Sequence, residues 1–229
     1  MNISVVSFDG DMTLWDFLQV MRHSLQKTLD ELQKHIKSQQ VSELTIEEMI
    51  DIRNRYAEEV KGKIWNLEEI RKGAFERTLE YVDRPDENLA SHLNTLYRKH
   101  RFEDIELYPD VIPTFDVLKQ NYKIGLLSNG NTYPERCGLE NYFEFVVFSQ
   151  DIQVEKPDPR FFIIAAEQSG FELTQMLHVG DSLENDVFGA NNVGGYTVWL
   201  NRNGITNDTD IIPDYEVTSL TQILPILGL

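Results

Sequence analysis

The chain has 229 residues, 41% of them hydrophobic and 26% charged, with a formal net charge of −17. That is the make-up of an ordinary globular protein long enough to bury a substantial core. Its acidity argues against binding nucleic acid through the phosphate backbone and against an anionic membrane face, both of which call for a basic surface.

The first element, ISVVSF from Ile3 to Phe8, is short, β-branched and free of polar alternation. Such a run predicts a strand covered on both faces, as in a parallel sheet. From about Asp16 to Asp104 the pattern turns helical. FLQVMRHSLQKTLDELQKHIK, TIEEMIDIRNRYAEEVKGKI, LEEIRKGAFERTLEYV and DENLASHLNTLYRKH each carry apolar residues at helical spacing. Thr45 with Glu48 three residues on predicts a capping box for the second of these helices. After LYPDVIP the types alternate: helix TFDVLKQNY, strand KIGLLSN, strand FEFVVFS, helix PRFFIIAAEQSG, strand MLHVGD, helix LENDVFGANNVG, strand YTVWLN. The tail SLTQILPILGL reads as a last helix. Alternation of this kind predicts an α/β fold, a doubly wound parallel-sheet, Rossmann-like core, with the lone N-terminal strand belonging to it. The expected organisation is a core of residues 1–16 and 104–229 interrupted by an α-helical bundle over 17–103.

Cys137, in PERCGLE, is the single cysteine, which excludes an internal disulfide and a thiolate zinc cluster; it reads as an inert thiol. No apolar stretch approaches the roughly 18 residues of a membrane span. The N-terminus shows no charged leader or cleavage site, so a cytoplasmic protein is expected.

Open parallel sheets bind ligands beyond the carboxyl ends of their strands. There the first strand delivers Asp9 and Asp11, followed by Thr13; KIGLLSNGN delivers Ser128, Asn129 and Gly130. Lys156 lies on the loop after FEFVVFS, and MLHVGDSLEND supplies Gly180, Asp181 and Asp186. Taken singly, these are turn residues, a helix cap and a solvated lysine. Together, at successive strand ends, they place acid, hydroxyl, amine and acid around one crevice.

The four groups resemble the signatures of the haloacid dehalogenase-like (HAD) hydrolase superfamily. Asp9-Gly10-Asp11-Met12-Thr13-Leu14 matches its DxDx[TV]L motif, Ser128 its strand-closing hydroxyl, and Lys156-Pro157 its lysine. Gly180-Asp181-Ser182 with Asn185-Asp186 matches its GDSxxND motif. The helical insert sits where subfamily I carries its cap. Met12 departs from the pattern, since glycine is usual there.

The resemblance implies a phosphatase that uses magnesium, an ion that prefers oxygen ligands in near-octahedral geometry. Its ligands would be the Asp9 carboxylate, the Asp11 backbone carbonyl and the Asp181 carboxylate. Asp9 would be the nucleophile, forming an aspartyl-phosphate, and Asp11 the general acid and then base. Ser128, backbone N–H groups near Asn129, and Lys156 would bind the phosphoryl oxygens. Asp186 would lie outside the ligand set and orient Lys156 or a water on the ion. The expected partner is a small phosphorylated metabolite, turned over by a monomer or homodimer. Within the cap, Arg53, Trp65, Arg71, Phe75 and Arg77 are the residues that could touch it, with Trp65 and Phe75 read mainly as bundle core.

Three alternatives stay open at this stage. Dehalogenases of 2-haloacids resemble the chain but lack the second acid and use no magnesium. Phosphomutases share Asp11. Receiver-like phosphoacceptor modules combine acids, a hydroxyl, a lysine and magnesium, but their phosphoacceptor ends the third strand, and FEFVVFS ends in Ser149.

Overall fold

The computed structural model describes residues 2–229. It divides into two compact units, one taking the chain up to Asp16 together with Glu106–Leu229, the other taking Phe17–Ile105. The chain enters the first through strand β1 (Val5–Phe8) and then passes into the second, which is wholly helical.

The helical unit comprises α1 (Phe17–His35), α2 (Gln39–Glu43), α3 (Ile46–Val60), α4 (Leu67–Tyr81) and α5 (Glu87–Glu103). In α1 the buried positions Met21, Leu25, Leu29 and Leu32 recur every three or four residues, which puts them on one face. They join Phe75, Leu79, Leu93 and Tyr97 in a single apolar cluster. The capping box forms: the Thr45 N–H donates to Glu48 Oε2 at 2.8 Å and the Glu48 N–H to Thr45 Oγ1 at 3.2 Å. Asn66 and Asp86 cap α4 and α5 without a reciprocal bond, each side chain accepting from two backbone N–H groups. The short α2, capped by Ser38, was not anticipated; five residues are too few for periodicity to register.

The other unit continues with α6 (Val111–Leu118), β2 (Lys123–Ser128), β3 (Phe145–Phe148), α7 (Ser149–Ile152), α8 (Pro159–Ser169), β4 (Met176–Gly180), α9 (Gly189–Asn191), β5 (Tyr196–Leu200), β6 (Tyr215–Val217) and α10 (Ile223–Ile226). Its sheet has the order β3-β2-β1-β4-β5-β6, and every pairing is parallel. This is the expected doubly wound fold. β1 is fully buried between β2 and β4, which explains its unbroken apolar run. Burial of each such Val or Phe side chain contributes about 1.5–3 kcal/mol. Strand order reverses between β1 and β4, so the crevice lies at the carboxyl ends of these two strands.

Local predictions erred where helical turns were irregular. α6 starts three residues before TFDVLKQNY, because Pro113 is tolerated within a first turn. LENDVFGANNVG opens as a π-type turn over Leu183–Phe188, with the Val187 N–H reaching back to the Ser182 carbonyl at 3.2 Å, before α9. The tail forms a 3₁₀ turn (Leu220–Gln222) and the one-turn α10 rather than a full helix. Among the described residues no helix is long and apolar enough to cross a membrane.

Candidate active site

The site is built on the two strands that flank the reversal. At the end of β1, the Asp9 N–H still bonds the Val179 carbonyl of β4 at 2.9 Å, so the residue is held as part of the sheet. The chain then turns through Gly10–Trp15. The Met12 N–H donates to the Trp15 carbonyl at 2.8 Å, and Met12 adopts φ +66°. That left-handed conformation is the reason glycine suits this position; a bulky side chain there is strained by about 1–2 kcal/mol.

Lys156 organises the centre. Its ammonium donates to Asp9 Oδ1 at 2.7 Å, Asp186 Oδ1 at 2.6 Å and the Leu127 carbonyl at 2.8 Å. Those three bonds use all its hydrogens, and its side chain is 1% exposed. Asn129 fixes the loop that carries it. The Asn129 side chain accepts from the Lys156 N–H at 2.8 Å and donates to the Lys156 carbonyl at 3.0 Å. The Asn129 amide is therefore occupied in positioning Lys156.

Asp186 makes two further contacts. Its Oδ1 meets His178 Nε2 at 3.1 Å, and its Oδ2 takes the Ser182 N–H at 3.0 Å. Because Asp186 is ionised beside Lys156, His178 carries its hydrogen on Nε2 and accepts from Ser7 Oγ, 2.9 Å away, on Nδ1. The Asp186 side chain folds against Gly180, where an added Cβ would sit 2.2 Å from its carboxyl carbon. That approach explains the glycine in Gly180-Asp181.

Asp181 lies across the crevice from β1. Thr13 Oγ1 donates to its Oδ1 at 3.4 Å, and Trp199 Nε1 donates to its carbonyl at 2.9 Å. Asp11 is turned toward β2. Trp15 Nε1 donates to its Oδ1 at 2.7 Å, while a Cβ on Gly130 would be 2.8 Å from its Oδ2 and 3.2 Å from Ser128 Oγ. Ser128 Oγ itself accepts from the Gly130 N–H at 2.9 Å. The seven residues singled out in the sequence thus gather at neighbouring strand ends within one unit.

Ligand atoms of Asp9, Asp181 and Asp186 lie within 4.8 Å of one another. Burial pushes the Asp9 carboxyl well above its usual range, with Asp186 and Asp181 adding to the effect and Lys156 opposing it. Burial and the Asp186 charge push Asp181 up to about 7. Burial also disfavours the charge on Asp186, but Lys156 and His178 outweigh it and hold that carboxyl below the ordinary range. Ionisation is disfavoured at both Asp9 and the half-buried Asp181, and a divalent cation beside them would supply the positive charge that favours it. All the side-chain donors are oxygens, the set hard cations prefer. Asp186 has both oxygens engaged by protein donors, which leaves Asp9 and Asp181 as the better-disposed ligands.

Sequence reasoning missed His178, Trp15 and Arg202 as supporting groups. Arg202 donates to the Thr13 carbonyl at 2.9 Å and, through both terminal nitrogens, to Asp110 at 2.9 Å. Trp15 was legible in principle, standing four residues after Asp11 in a turn; His178 and Arg202 act through tertiary contacts alone. Of the insert residues, Phe75 is core, whereas Trp65 is half-buried. Arg77 pairs with Glu59 and Glu80.

Glyceraldehyde 3-phosphate phosphatase of Methanopyrus kandleri is 33% identical over 62% of this chain, and the chain spans just under two thirds of that protein, 66%. Human N-acylneuraminate-9-phosphatase is 26% identical over 98% of this chain and 94% of its own. A 2-haloacid dehalogenase from Pseudomonas syringae superposes with a TM-score of 0.84 at 28% identity, covering 99% of this chain and 98% of that one. A family model for haloacid dehalogenase-like hydrolases matches residues 3–194, and the chain, an enzyme, belongs to that family.

Proposed function

We propose that this hydrolase cleaves phosphomonoesters of small metabolites, with magnesium and through an aspartyl-phosphate on Asp9. The observation that carries the reading is the second acid. Asp11 sits two residues beyond Asp9, braced by Trp15 Nε1 at 2.7 Å and turned toward Gly130. An alkoxide leaves poorly unless protonated, and a proton-transfer group at that point is worth about 10²–10⁴ in rate.

Asp9 attacks phosphorus, its carboxylate fixed by Lys156. Asp11 delivers a proton to the departing oxygen and then takes one from the water that releases phosphate. The Ser128 hydroxyl and the N–H groups of the following loop receive the non-bridging oxygens. Magnesium, held by Asp9, the Asp11 carbonyl and Asp181, would supply positive charge to both the acids and the phosphoryl group. The helical unit, as a cap, would select the leaving group. Names of relatives support the class of ester: one is a glyceraldehyde 3-phosphate phosphatase, another an N-acylneuraminate-9-phosphatase.

A second reading, halide displacement from a 2-haloacid, has the Pseudomonas likeness in its favour. That reaction produces no alkoxide and leaves Asp11 without a task. A panel of phosphate esters and 2-haloacids, run with magnesium and again with chelator, separates the two. Turnover of at least one ester, lost on chelation, is expected; halide release without phosphate release would overturn the proposal. In addition, Asp11→Asn should slow alkyl phosphates more than p-nitrophenyl phosphate, whose leaving group hardly needs a proton.

A further inference from the structure

The chain has five histidines. His178 belongs to the site above, and the other four lie in the helical unit, paired across the single seam between α1 and α5. His35 and His92 meet at one end, with ring centroids 5.7 Å apart; His23 and His100 meet at the other, 5.8 Å apart. A carboxylate oxygen stands between the members of each pair. Glu31 Oε1 lies 3.1 Å from His35 Nε2 and 3.4 Å from His92 Nε2. Asp104 Oδ2 lies 3.0 Å from His23 Nε2 and 2.7 Å from His100 Nδ1. In each set the three donor atoms fall within 4.8 Å of one another.

We propose that this seam binds two transition-metal ions of the zinc class, one at Glu31–His35–His92 and one at His23–His100–Asp104. The construction is the same at both ends. One helix supplies a histidine and an acid at i and i+4, which share a face, and the other helix supplies the second histidine. Tetrahedral zinc with bonds of about 2.0–2.1 Å keeps its ligand atoms about 3.3–3.4 Å apart. The oxygen-to-nitrogen distances of the Glu31 set, 3.1 and 3.4 Å, lie close to that spacing, and those of the Asp104 set, 3.0 and 2.7 Å, need to open by about half an ångström. Two imidazoles and a carboxylate suit zinc, nickel or copper and not magnesium, which prefers all-oxygen sites.

Room exists for water to complete the coordination at the Glu31 end. The cluster opens onto a cleft of about 580 Å³ whose walls include Ile36, Pro85 and Leu89. Glu31 presents Oε1 to both rings. Lys34 engages the other oxygen, Oε2, at 3.2 Å and leaves Oε1 to the histidines. An ion at each end would fasten α1 to α5 without contributing to the acidic site of the α/β unit.

The test is equilibrium dialysis of the full chain against zinc in buffer containing excess magnesium. Any zinc taken by the acidic core is common to all variants, so differences between them count the seam sites. His23→Ala and His92→Ala should each bind one equivalent fewer than wild type, and the double variant two fewer. All four rings are partly exposed on helices, and alanine is the best helix former, so these variants retain the fold. Glu31→Gln, which keeps the side chain's shape, should weaken its site by at least about tenfold, since even supporting residues around a metal are worth that much. Zinc should raise the unfolding temperature of wild type more than that of the double variant. Equal stoichiometry and affinity across the set would overturn the proposal, and loss at one end alone would overturn it for the other.

Discussion

Lys156→Met removes the ammonium bonded to both Asp9 and Asp186 while keeping most of the stem's volume. In the wild type that ammonium makes three bonds of 2.6–2.8 Å from a side chain 1% exposed. The variant leaves two buried carboxylates without their cation and the Leu127 carbonyl without its donor. Breaking a buried ion pair from one side costs about 3–5 kcal/mol, because the remaining charge must stay uncompensated or take up a proton. For a chain of this length each kcal/mol moves the melting temperature by about 2–4 °C, so a fall of about 6–20 °C is expected. Calorimetry reads the shift, and urea unfolding followed by tryptophan fluorescence reports on the same unit through Trp15 and Trp199. Activity should fall further than stability explains. Asp9 loses its fixed orientation and the positive charge that favours its ionisation, and loss of one preorganised electrostatic contact is worth about 10²–10³ in kcat. A melting temperature within about 3 °C of wild type would refute the reasoning, since it would mean that Lys156 is not holding the acids together.

Asp110→Asn tests the clamp on the catalytic turn. Asp110 accepts from both terminal nitrogens of Arg202, from Ser219 and from the Leu220 N–H. Burial raises its carboxyl, but the Arg202 bonds outweigh this and hold it below the ordinary range. Its folded value being depressed, its contribution is complete above about pH 4 and is lost as pH falls through the folded value. The variant should lose about 1.5–3 kcal/mol at pH 7 and show a smaller loss of stability on acidification, measured by urea midpoints at a series of pH values. Met12→Gly relieves the left-handed strain but loosens the unfolded chain, so stability should change by about 0 to +1.5 kcal/mol; a loss above about 1 kcal/mol would contradict the strain assignment. Gly130→Ala introduces a Cβ 2.8 Å from Asp11 Oδ2 and 3.2 Å from Ser128 Oγ. It should slow alkyl-phosphate hydrolysis by at least about tenfold, through displacement of the acid, with a smaller effect on p-nitrophenyl phosphate.

The parts of this protein legible in its sequence are those governed by local pattern. The apolar run of β1 and the strand–helix alternation after Pro109 led to the sheet, and Thr45 with Glu48 led to the capping box that forms. The motif residues Asp9, Asp11, Ser128, Lys156 and Asp181 were legible because each directly follows or ends a strand, or lies on the loop after one. What local pattern could not show was division of labour among neighbours. The expectation for Asn129 concerned backbone N–H groups near it, and gave no hint that its side chain holds the backbone of Lys156, a partnership 27 residues away in sequence. His178 lies inside an apolar strand and gains its role only because β4 packs beside β1 and brings it to Ser7. β6 and α2 escaped because elements of three and five residues carry too little periodicity to stand out.

Whether Asp9 accepts phosphorus is open to direct measurement. Wild-type enzyme mixed with a phosphorus-labelled ester that it turns over, quenched rapidly and digested, should carry hydroxylamine-sensitive label on the peptide containing Asp9. Asp9→Asn should carry no label and release no phosphate. Label on a different peptide, or undiminished phosphate release by Asp9→Asn, would contradict the account.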